Sequence, residues 1–125
     1  MKKLLFFFVL GFMFSCSKKN SSPTPPPATA PVVTTIAISN ITRTTAQSGG
    51  TVSSPGASLT VAGVCWATTP GPTNFGSSTT NGSIGTFSSN LTGLTPGTSY
   101  YVRAYAVPSY GPIGYGNEIS FTTLP

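Results

Sequence analysis

The chain of 125 residues has a formal net charge of +5, yet it contains a single carboxylate side chain and no histidine. General acid–base catalysis, glycoside hydrolysis and nucleophilic catalysis each need titratable groups that this composition does not supply. The usual ligands of zinc and calcium are missing for the same reason. The composition therefore predicts a protein that is not an enzyme and that has no cofactor and no metal site.

The positive charge is concentrated at the N-terminus, where four of the six basic residues lie within the first 19 positions. The rest of the chain carries three charged side chains, Arg43, Arg103 and Glu118. A nearly neutral body rich in Ser, Thr and Gly offers no surface that would attract phosphates, so nucleic acid is not an expected partner.

The first 15 residues predict a secretory signal peptide. Two lysines precede an apolar run from Leu4 to Phe14, which is much shorter than the ~20 residues needed to span a bilayer. Ser15-Cys16 follows and resembles the lipobox of bacterial lipoproteins. The resemblance implies that Cys16 becomes the mature N-terminus, carries acyl chains such as palmitate and holds the protein on a membrane. The alternative is that Cys16 is an ordinary apolar residue of the signal.

Residues 16–31 predict a tether between the lipid and a folded body. The segment from Ser22 to Pro31 is rich in Pro, Thr and Ala and cannot bury a core. Such a composition favours polyproline II and forms a semi-stiff spacer, although a disordered leader without a spacer role is an equal alternative. By analogy with lipoprotein sorting, Ser17 implies the outer membrane, and both the periplasmic and the surface face stay open.

From residue 32 to residue 125 the pattern changes to short strands, which predicts one β-domain. Alternation of apolar and polar residues between turn residues predicts strands at residues 32–39, 44–53, 59–68 and 86–91. Gly49-Gly50 predicts a β-bulge inside the second of these strands. The third strand has apolar residues on both faces, and we expect Val64 and Trp66 to face the core.

Residues 69–83 contain many Pro, Gly, Ser, Thr and Asn residues, which predicts a long loop or a short edge strand. Phe75 is the large apolar side chain of this segment, and we expect it to plug into the core. In the strand that follows, we expect Phe87 and Leu91 to point inward.

A turn that leads into a long strand, residues 94–106, organises the second half of the chain. Pro96-Gly97 is a turn pair, because proline presets φ and glycine tolerates positive φ. Leu94 precedes Tyr100 by six residues, the spacing of a tyrosine corner, in which the tyrosine hydroxyl bonds a main-chain group just upstream. The two faces of the strand then carry Tyr100, Val102, Ala104 and Ala106 on one side and Tyr101, Arg103 and Tyr105 on the other.

Three segments, in the same order, resemble the fibronectin type III-like domains of bacterial envelope lipoproteins. They are Leu94-x-Pro96-x-Thr98-x-Tyr100-x-Val102-x-Ala104, Gly63-Val64-Cys65-Trp66-Ala67-Thr68 and Gly114-Tyr115-Gly116-Asn117-Glu118-Ile119-Ser120-Phe121-Thr122-Thr123. The resemblance covers residues 31–125 and implies an all-β fold: an immunoglobulin-like, fibronectin type III-like antiparallel β-sandwich of about seven strands. We expect structural roles for Leu94, Pro96, Tyr100 and Trp66, and the family implies no catalytic residues.

The inward faces of the last two predicted strands must match, and one register satisfies this requirement. It places Tyr100 opposite Phe121 and Val102 opposite Ile119. The same register places Arg103 opposite Glu118 on the outer face, where we expect an exposed cross-strand ion pair worth ~0.2–1 kcal/mol.

Tyrosines supply the candidate binding surface. Tyr110 and Tyr115 lie in the loop before the last strand, and Tyr101 and Tyr105 would extend them into an aromatic strip that suits a sugar or a protein partner. The alternative is that these rings merely cover the outer face of a sheet with few charges. Cys65 has no base beside it, so we expect an inert buried thiol.

The sequence thus predicts a non-catalytic, lipid-anchored protein of the cell envelope. Its β-sandwich would act as an adhesion, spacer or protein-interaction module, with the membrane and an envelope protein or glycan as partners. The alternative is a small carbohydrate-binding lipoprotein that uses the loop and strand tyrosines.

Overall fold

The computed structural model describes residues 29–53 and 57–125 of the chain. The predicted signal peptide of residues 1–15, Cys16 and the tether as far as residue 28 lie outside the described residues. Pro31, expected to be the last residue of the tether, is buried and packs against Gly114, so it belongs to the folded body. Among the described residues, no helix has the length and apolar character needed to cross a membrane.

The described residues form eight β-strands and no α-helix. The strands are β1 Val32–Ser39, β2 Ala46–Ser53, β3 Leu59–Ala67, β4 Ser77–Ser78, β5 Gly85–Leu91, β6 Ser99–Pro108, β7 Gly114–Tyr115 and β8 Ile119–Thr122. The predicted strands agree with these bounds within two residues at each end. Of the two structures predicted for residues 69–83, the chain adopts both, a loop followed by the short edge strand β4.

Two antiparallel sheets form the sandwich. The first contains β1, β2 and β5 in the order β1-β2-β5, and the second has the order β4-β3-β6-β7. β8 also pairs with β6, so that β7 and β8 are two halves of one interrupted last strand. This is the all-β, immunoglobulin-like architecture expected from the sequence.

The core lies between the sheets and consists of the inward-facing side chains of both. Its buried members are Ala46, Val52, Ala62, Val64, Trp66, Phe87, Leu91, Leu94, Tyr100, Val102, Ala104, Ala106 and Phe121. The inward orientation predicted for Val64, Trp66, Phe87 and Leu91 is therefore confirmed. The strand pairing explains the choice of face on β3, because Val64 and Trp66 lie opposite Ala104 and Val102 of the core face of β6.

The geometry at residues 94–100 is that of the expected tyrosine corner. The Thr95 N–H donates a 2.8 Å hydrogen bond to the Tyr100 hydroxyl, and Leu94 is buried beside it. Gly97 has a φ of 62°, which the turn requires and which a glycine adopts at little cost. The Tyr100 ring stacks on Phe121 with 5.8 Å between ring centroids.

The register predicted for the last strand is confirmed, because Tyr100 pairs with Phe121 and Val102 with Ile119. The ion pair expected from it does not form in the described chain. Glu118 Oε1 instead accepts a 2.6 Å hydrogen bond from the Gly71 N–H, and Arg103 Nε donates one of 2.6 Å to the Pro72 carbonyl. Both charged side chains therefore form hydrogen bonds with the main chain of the loop after β3 and do not pair with each other.

The prediction of a bulge at Gly49-Gly50 is wrong. Both glycines are regularly paired on both sides, and the irregularity lies in β1 between Ile36 and Ser39. The two glycines instead allow neighbouring atoms to lie closer to the main chain of β2 than a side chain would permit. A Cβ at Gly49 would overlap the Phe87 carbonyl oxygen, and one at Gly50 would lie 2.7 Å from Ala104 Cβ in the opposite sheet.

The prediction that Phe75 plugs into the core is also wrong, because this side chain is 85% exposed. The Gly76 N–H bonds the Thr73 carbonyl and closes a turn, and Asn74 points inward from this turn to Tyr115. Phe75 follows Asn74 and projects outward. The buried residue of the loop is Pro72, which covers the outer face of the second sheet.

Candidate functional site

The four tyrosines predicted to form a binding strip do not share one accessible surface. Tyr105 is 1% exposed, and its hydroxyl donates a 2.5 Å hydrogen bond to the Thr79 carbonyl. Burial raises the pKa of Tyr105 above its usual value. A ring that is covered in this way cannot contact a ligand, so the prediction for Tyr105 is corrected. Its role is to hold the segment that follows β4 against the sheet.

Tyr115 is partly buried and also binds the loop after β3. Its hydroxyl donates a 2.8 Å hydrogen bond to Asn74 Oδ1, and the Arg103 guanidinium carbon lies 3.9 Å from its ring centroid. This is a cation–π arrangement, with one face of the ring occupied by the guanidinium. Tyr115 therefore positions the loop, and little of its ring is left for a partner.

Tyr110 and Tyr101 keep accessible surface but lie apart. Tyr110 is 56% exposed in the loop after β6, whereas Tyr101 is partly buried near the other end of that strand, between Ala67 and Ser120 of the flanking strands. Tyr105 lies between them on β6 and is covered. The strip is thus interrupted at its middle.

Cys65 is buried beneath the loop after β3. Its thiol lies 3.3 Å from the Arg103 carbonyl oxygen and 3.5 Å from that of Pro72, and either oxygen can accept its proton. Burial raises the pKa of Cys65 to about 11, although Arg103 nearby opposes this shift. The thiol is therefore protonated at neutral pH and a poor nucleophile. No group of three or more His, Cys, Asp or Glu side chains in residues 29–53 and 57–125 is placed to hold a metal.

The two ends of the sandwich differ in what they present. β1 begins at Val32 opposite Ser53, so the N-terminal segment joins the body at the end that also carries the loop with Tyr110. The other end carries the turn after β1, the loop after β3 and the turn before β6. Two clefts open there.

The first cleft, of about 300 Å³, lies on the first sheet and is lined by Asn40, Thr45, Ala46, Gln47, Asn90 and Thr92. Its side-chain amides form a chain, in which Asn40 Nδ2 donates to Gln47 Oε1 at 2.8 Å and Gln47 Nε2 donates to Asn90 Oδ1 at 3.3 Å. These side-chain amides form hydrogen bonds mainly with one another. The cleft is therefore a polar surface whose amide groups are largely paired.

The second cleft is larger, about 500 Å³, and we call it the Trp66 groove. It lies between the loop after β3 and the turn before β6 and is lined by Trp66, Ala67, Thr68, Thr69, Gly71, Pro72, Thr73, Gly76, Ser77, Gly93 and Tyr100. The sequence does not predict this groove, because its patterns indicate only a core role for Trp66 and a long loop or a short edge strand for residues 69–83. The feature of the sequence that could have indicated the groove is the large number of Thr, Ser and Gly residues on both sides of Trp66.

Solved structures similar to this chain support the fold. One is the sensor domain of the anti-sigma factor RsgI4 from Pseudobacteroides cellulosolvens, with a TM-score of 0.53 and 19% identity over 77% of this chain and 96% of that one. Another comprises domains A168–A170 of titin, with a TM-score of 0.54 and 18% identity over 79% of this chain and 33% of that one. The chain thus spans about a third of the titin structure.

No protein-family model matches the sequence, and no curated protein matches it either. At these identities the structural likeness shows the fold alone, an immunoglobulin- or fibronectin type III-like β-domain. Neither neighbour is described as an enzyme, and what each one senses or assembles with is a property of that protein.

Proposed function

We propose that the chain is a non-catalytic, lipid-anchored protein of the bacterial outer membrane. Cys16 carries the lipid, residues 17–30 form the spacer, and the β-sandwich acts as an adhesion, spacer or protein-interaction module. The signal-like N-terminus, the single carboxylate of the whole chain and the absence of histidine from it support this proposal.

The observation that carries the proposal is how the body uses its few reactive side chains. Arg103 binds the Pro72 carbonyl, Glu118 binds the Gly71 N–H, and Tyr105 binds the Thr79 carbonyl. All three side chains form hydrogen bonds with main-chain groups of residues 71–79, which comprise part of the loop after β3, strand β4 and the residue after it. Side chains used in this way stiffen a body and do not transfer protons, which is what a rigid module on a tether requires.

The position of the N-terminal segment gives the proposed module a direction. The segment enters beside Gly114 and Ser53, so an anchor at Cys16 would hold this end towards the membrane. An extended spacer over residues 17–30 would reach roughly 43 Å at ~3.1 Å per residue. The end with the Trp66 groove would then face away from the membrane, where a partner has access.

The alternative of a carbohydrate-binding lipoprotein that uses Tyr101, Tyr105, Tyr110 and Tyr115 has less support. Tyr105 is covered and Tyr115 stacks on Arg103, so two of the four rings are already occupied. We therefore place the interaction module first.

Metabolic labelling with an alkyne fatty acid tests the anchor. The full chain should incorporate the label, and Cys16→Ser should lose it. Cys65→Ser is the matched control, because Cys65 is the second of the two cysteines in the chain, and it should label as strongly as the wild type. Equal labelling of the wild type and Cys16→Ser would refute lipid attachment at Cys16.

In-cell photocrosslinking tests the module. A crosslinker placed at Phe75, on the end away from the tether, should capture an envelope partner more strongly than one placed at Tyr110. Capture from Tyr110 and not from Phe75 would contradict the proposed direction. Absence of any captured partner at both positions would leave the spacer role as the supported one.

A further inference from the structure

The Trp66 indole N–H has no acceptor among the residues that the structure describes. The side chain is 9% exposed and borders the Trp66 groove, yet its indole N–H bonds to no described residue. Buried polar groups of native proteins are nearly always paired, and the exceptions point to bound water or to a ligand. An acceptor from outside the chain, either water or a ligand, is therefore expected for this N–H.

The other polar groups of the groove are hydroxyls. Thr68, Thr69, Thr73 and Ser77 line it, and none of their hydroxyl groups bonds to another described residue. No charged side chain is among the lining residues. The groove thus offers neutral donors and acceptors at close spacing, which suits a ligand that has many hydroxyl groups and no charge.

An exposed aromatic residue lies next to the lining residues along the chain. Phe75 lies at the tip of the loop between the lining residues Thr73 and Ser77, and at 85% exposure it is the most exposed of the large apolar side chains described. An exposed ring beside free hydroxyl groups combines a stacking surface with hydrogen-bond partners. The Gly76 N–H to Thr73 carbonyl bond of 3.1 Å closes the turn and fixes the position from which the ring projects.

We propose that the Trp66 groove binds a neutral saccharide, with Phe75 stacking on a sugar ring, the Trp66 N–H donating to a sugar oxygen, and the threonine and serine hydroxyls bonding to sugar hydroxyls. The volume of about 500 Å³ is in the range of small-molecule sites and accommodates one or two sugar units. This site is distinct from the tyrosine strip considered from the sequence, which lies across the outer face of β6 and in the loop after it.

A proline-rich peptide is the competing ligand for a groove that contains a tryptophan N–H. The lining favours the saccharide, because the apolar rings of such a peptide would leave four neutral hydroxyls without partners. A peptide with the sequence of residues 22–31 of this chain serves as the probe for this alternative.

The chain contains a built-in reporter, because Trp66 is its single tryptophan. The full chain, held in a polyoxyethylene detergent without a sugar headgroup, is titrated with neutral gluco-, xylo-, manno- and galacto-oligosaccharides while Trp66 emission is recorded. At least one series should shift the emission of the wild type and of Phe75→Tyr, which keeps the ring. Phe75→Ala should weaken that saccharide roughly three- to tenfold, the size of one stacking contact. The double variant Thr73→Ala, Ser77→Ala should weaken it as well.

Three results would overturn the proposal. The first is no shift with any saccharide, and the second is a shift with the peptide of residues 22–31 alone. The third is binding that Phe75→Ala retains and Tyr110→Ala loses, since that would place the ligand at the loop after β6. The same titration on Cys16→Ser separates this inference from the proposed anchor, because saccharide binding should persist whether or not position 16 carries a lipid.

Discussion

The Thr35 hydroxyl of β1 accepts a 2.9 Å hydrogen bond from the Ala104 N–H of β6 and so joins the two sheets. The interruption between β7 and β8 explains why Ala104 needs this partner. Its carbonyl still receives the Gly116 N–H at 2.8 Å, but its N–H has no partner from the last strand. The Thr35 N–H in turn donates a 2.9 Å bond to Asn117 Oδ1 within the interruption. Thr35 therefore forms hydrogen bonds with both partners at the interruption, one with Ala104 of β6 and one with Asn117.

Thr35→Val should destabilise the fold by about 1–3 kcal/mol, because it keeps the shape of the side chain and leaves the fully buried Ala104 N–H without an acceptor. Thr35→Ser keeps the hydroxyl and should retain most of the stability. The free energy of unfolding from urea titrations measures both. A larger loss for Thr35→Ser than for Thr35→Val would show that the methyl group matters rather than the hydrogen bond.

Tyr100→Phe should cost about 0.5–1.5 kcal/mol, because it removes the acceptor of the Thr95 N–H and keeps the stack on Phe121. Tyr101→Phe is the matched control on the neighbouring position, since its hydroxyl bonds to no described residue. Urea midpoints at neutral pH compare the two. A loss that is as large for Tyr101→Phe would remove the tyrosine corner from the account of stability.

The sandwich and its last register were predictable because their signals are local. Alternation along residues 99–108 assigns the faces of β6, and the spacing of Leu94 and Tyr100 fixes how the chain enters that strand. Once the faces are assigned, a slip of one residue would turn Tyr100 or Phe121 outward, so burial excludes that slip, and the observed register has both rings inward.

The loop after β3 was not predictable, because its position depends on partners that are distant in the sequence. Arg103 and Glu118 have opposite charges, and the sequence alone favours pairing them. The fold instead offers each a main-chain group of residues 71–72, at 2.6 Å in both cases. The Arg103 bond is partly buried and the Glu118 bond is exposed, and together they replace an exposed ion pair of little value. The groove depends on the same loop position, so it was missed as well.

Arg103→Lys should loosen this loop, because lysine cannot reproduce both the bond to the Pro72 carbonyl and the planar contact with Tyr115. The readout is the rate at which a disulfide reagent modifies Cys65 at pH 8, in a Cys16→Ser background that leaves one thiol. The rate should rise about tenfold, as expected when a hydrogen bond to a charged group no longer opposes local opening. Arg43→Lys, at an exposed position, should leave the rate unchanged. A similar rise in both variants would contradict the role of Arg103.

Stability should fall as the pH rises from about 9 to about 11. Burial raises the pKa of Cys65 from 9.0 to about 11, so in this interval the unfolded chain loses a proton that the folded chain keeps. The contribution of the protonated thiol is therefore complete below pH 9 and is lost by about pH 11. Burial raises the pKa of Tyr105 too, so it adds a loss of the same sign that begins as the pH passes the ordinary tyrosine value of 10.0.

Cys65→Ala isolates the thiol in that measurement. Urea titrations in the Cys16→Ser background at neutral pH and at pH 10.5 should show a loss on the order of 2 kcal/mol with Cys65 present. The loss should be clearly smaller in Cys65→Ala, where Tyr105 remains the main titrating group. A pH dependence that is unchanged by this substitution would mean that the thiol is not the group responsible.

Phe75 and Phe87 carry the same side chain in an exposed and a buried position, so the same substitution to Ala can be compared at both. Phe87→Ala should cost about 3–5 kcal/mol, because the ring is buried between the sheets and its removal leaves a cavity. Phe75→Ala should change the free energy of unfolding by less than about 0.5 kcal/mol, because the ring is 85% exposed. Urea titrations of the two variants test this difference. A large loss from Phe75→Ala would show that the ring packs against the body in solution, and a stacking surface for a ligand at this position would then be excluded.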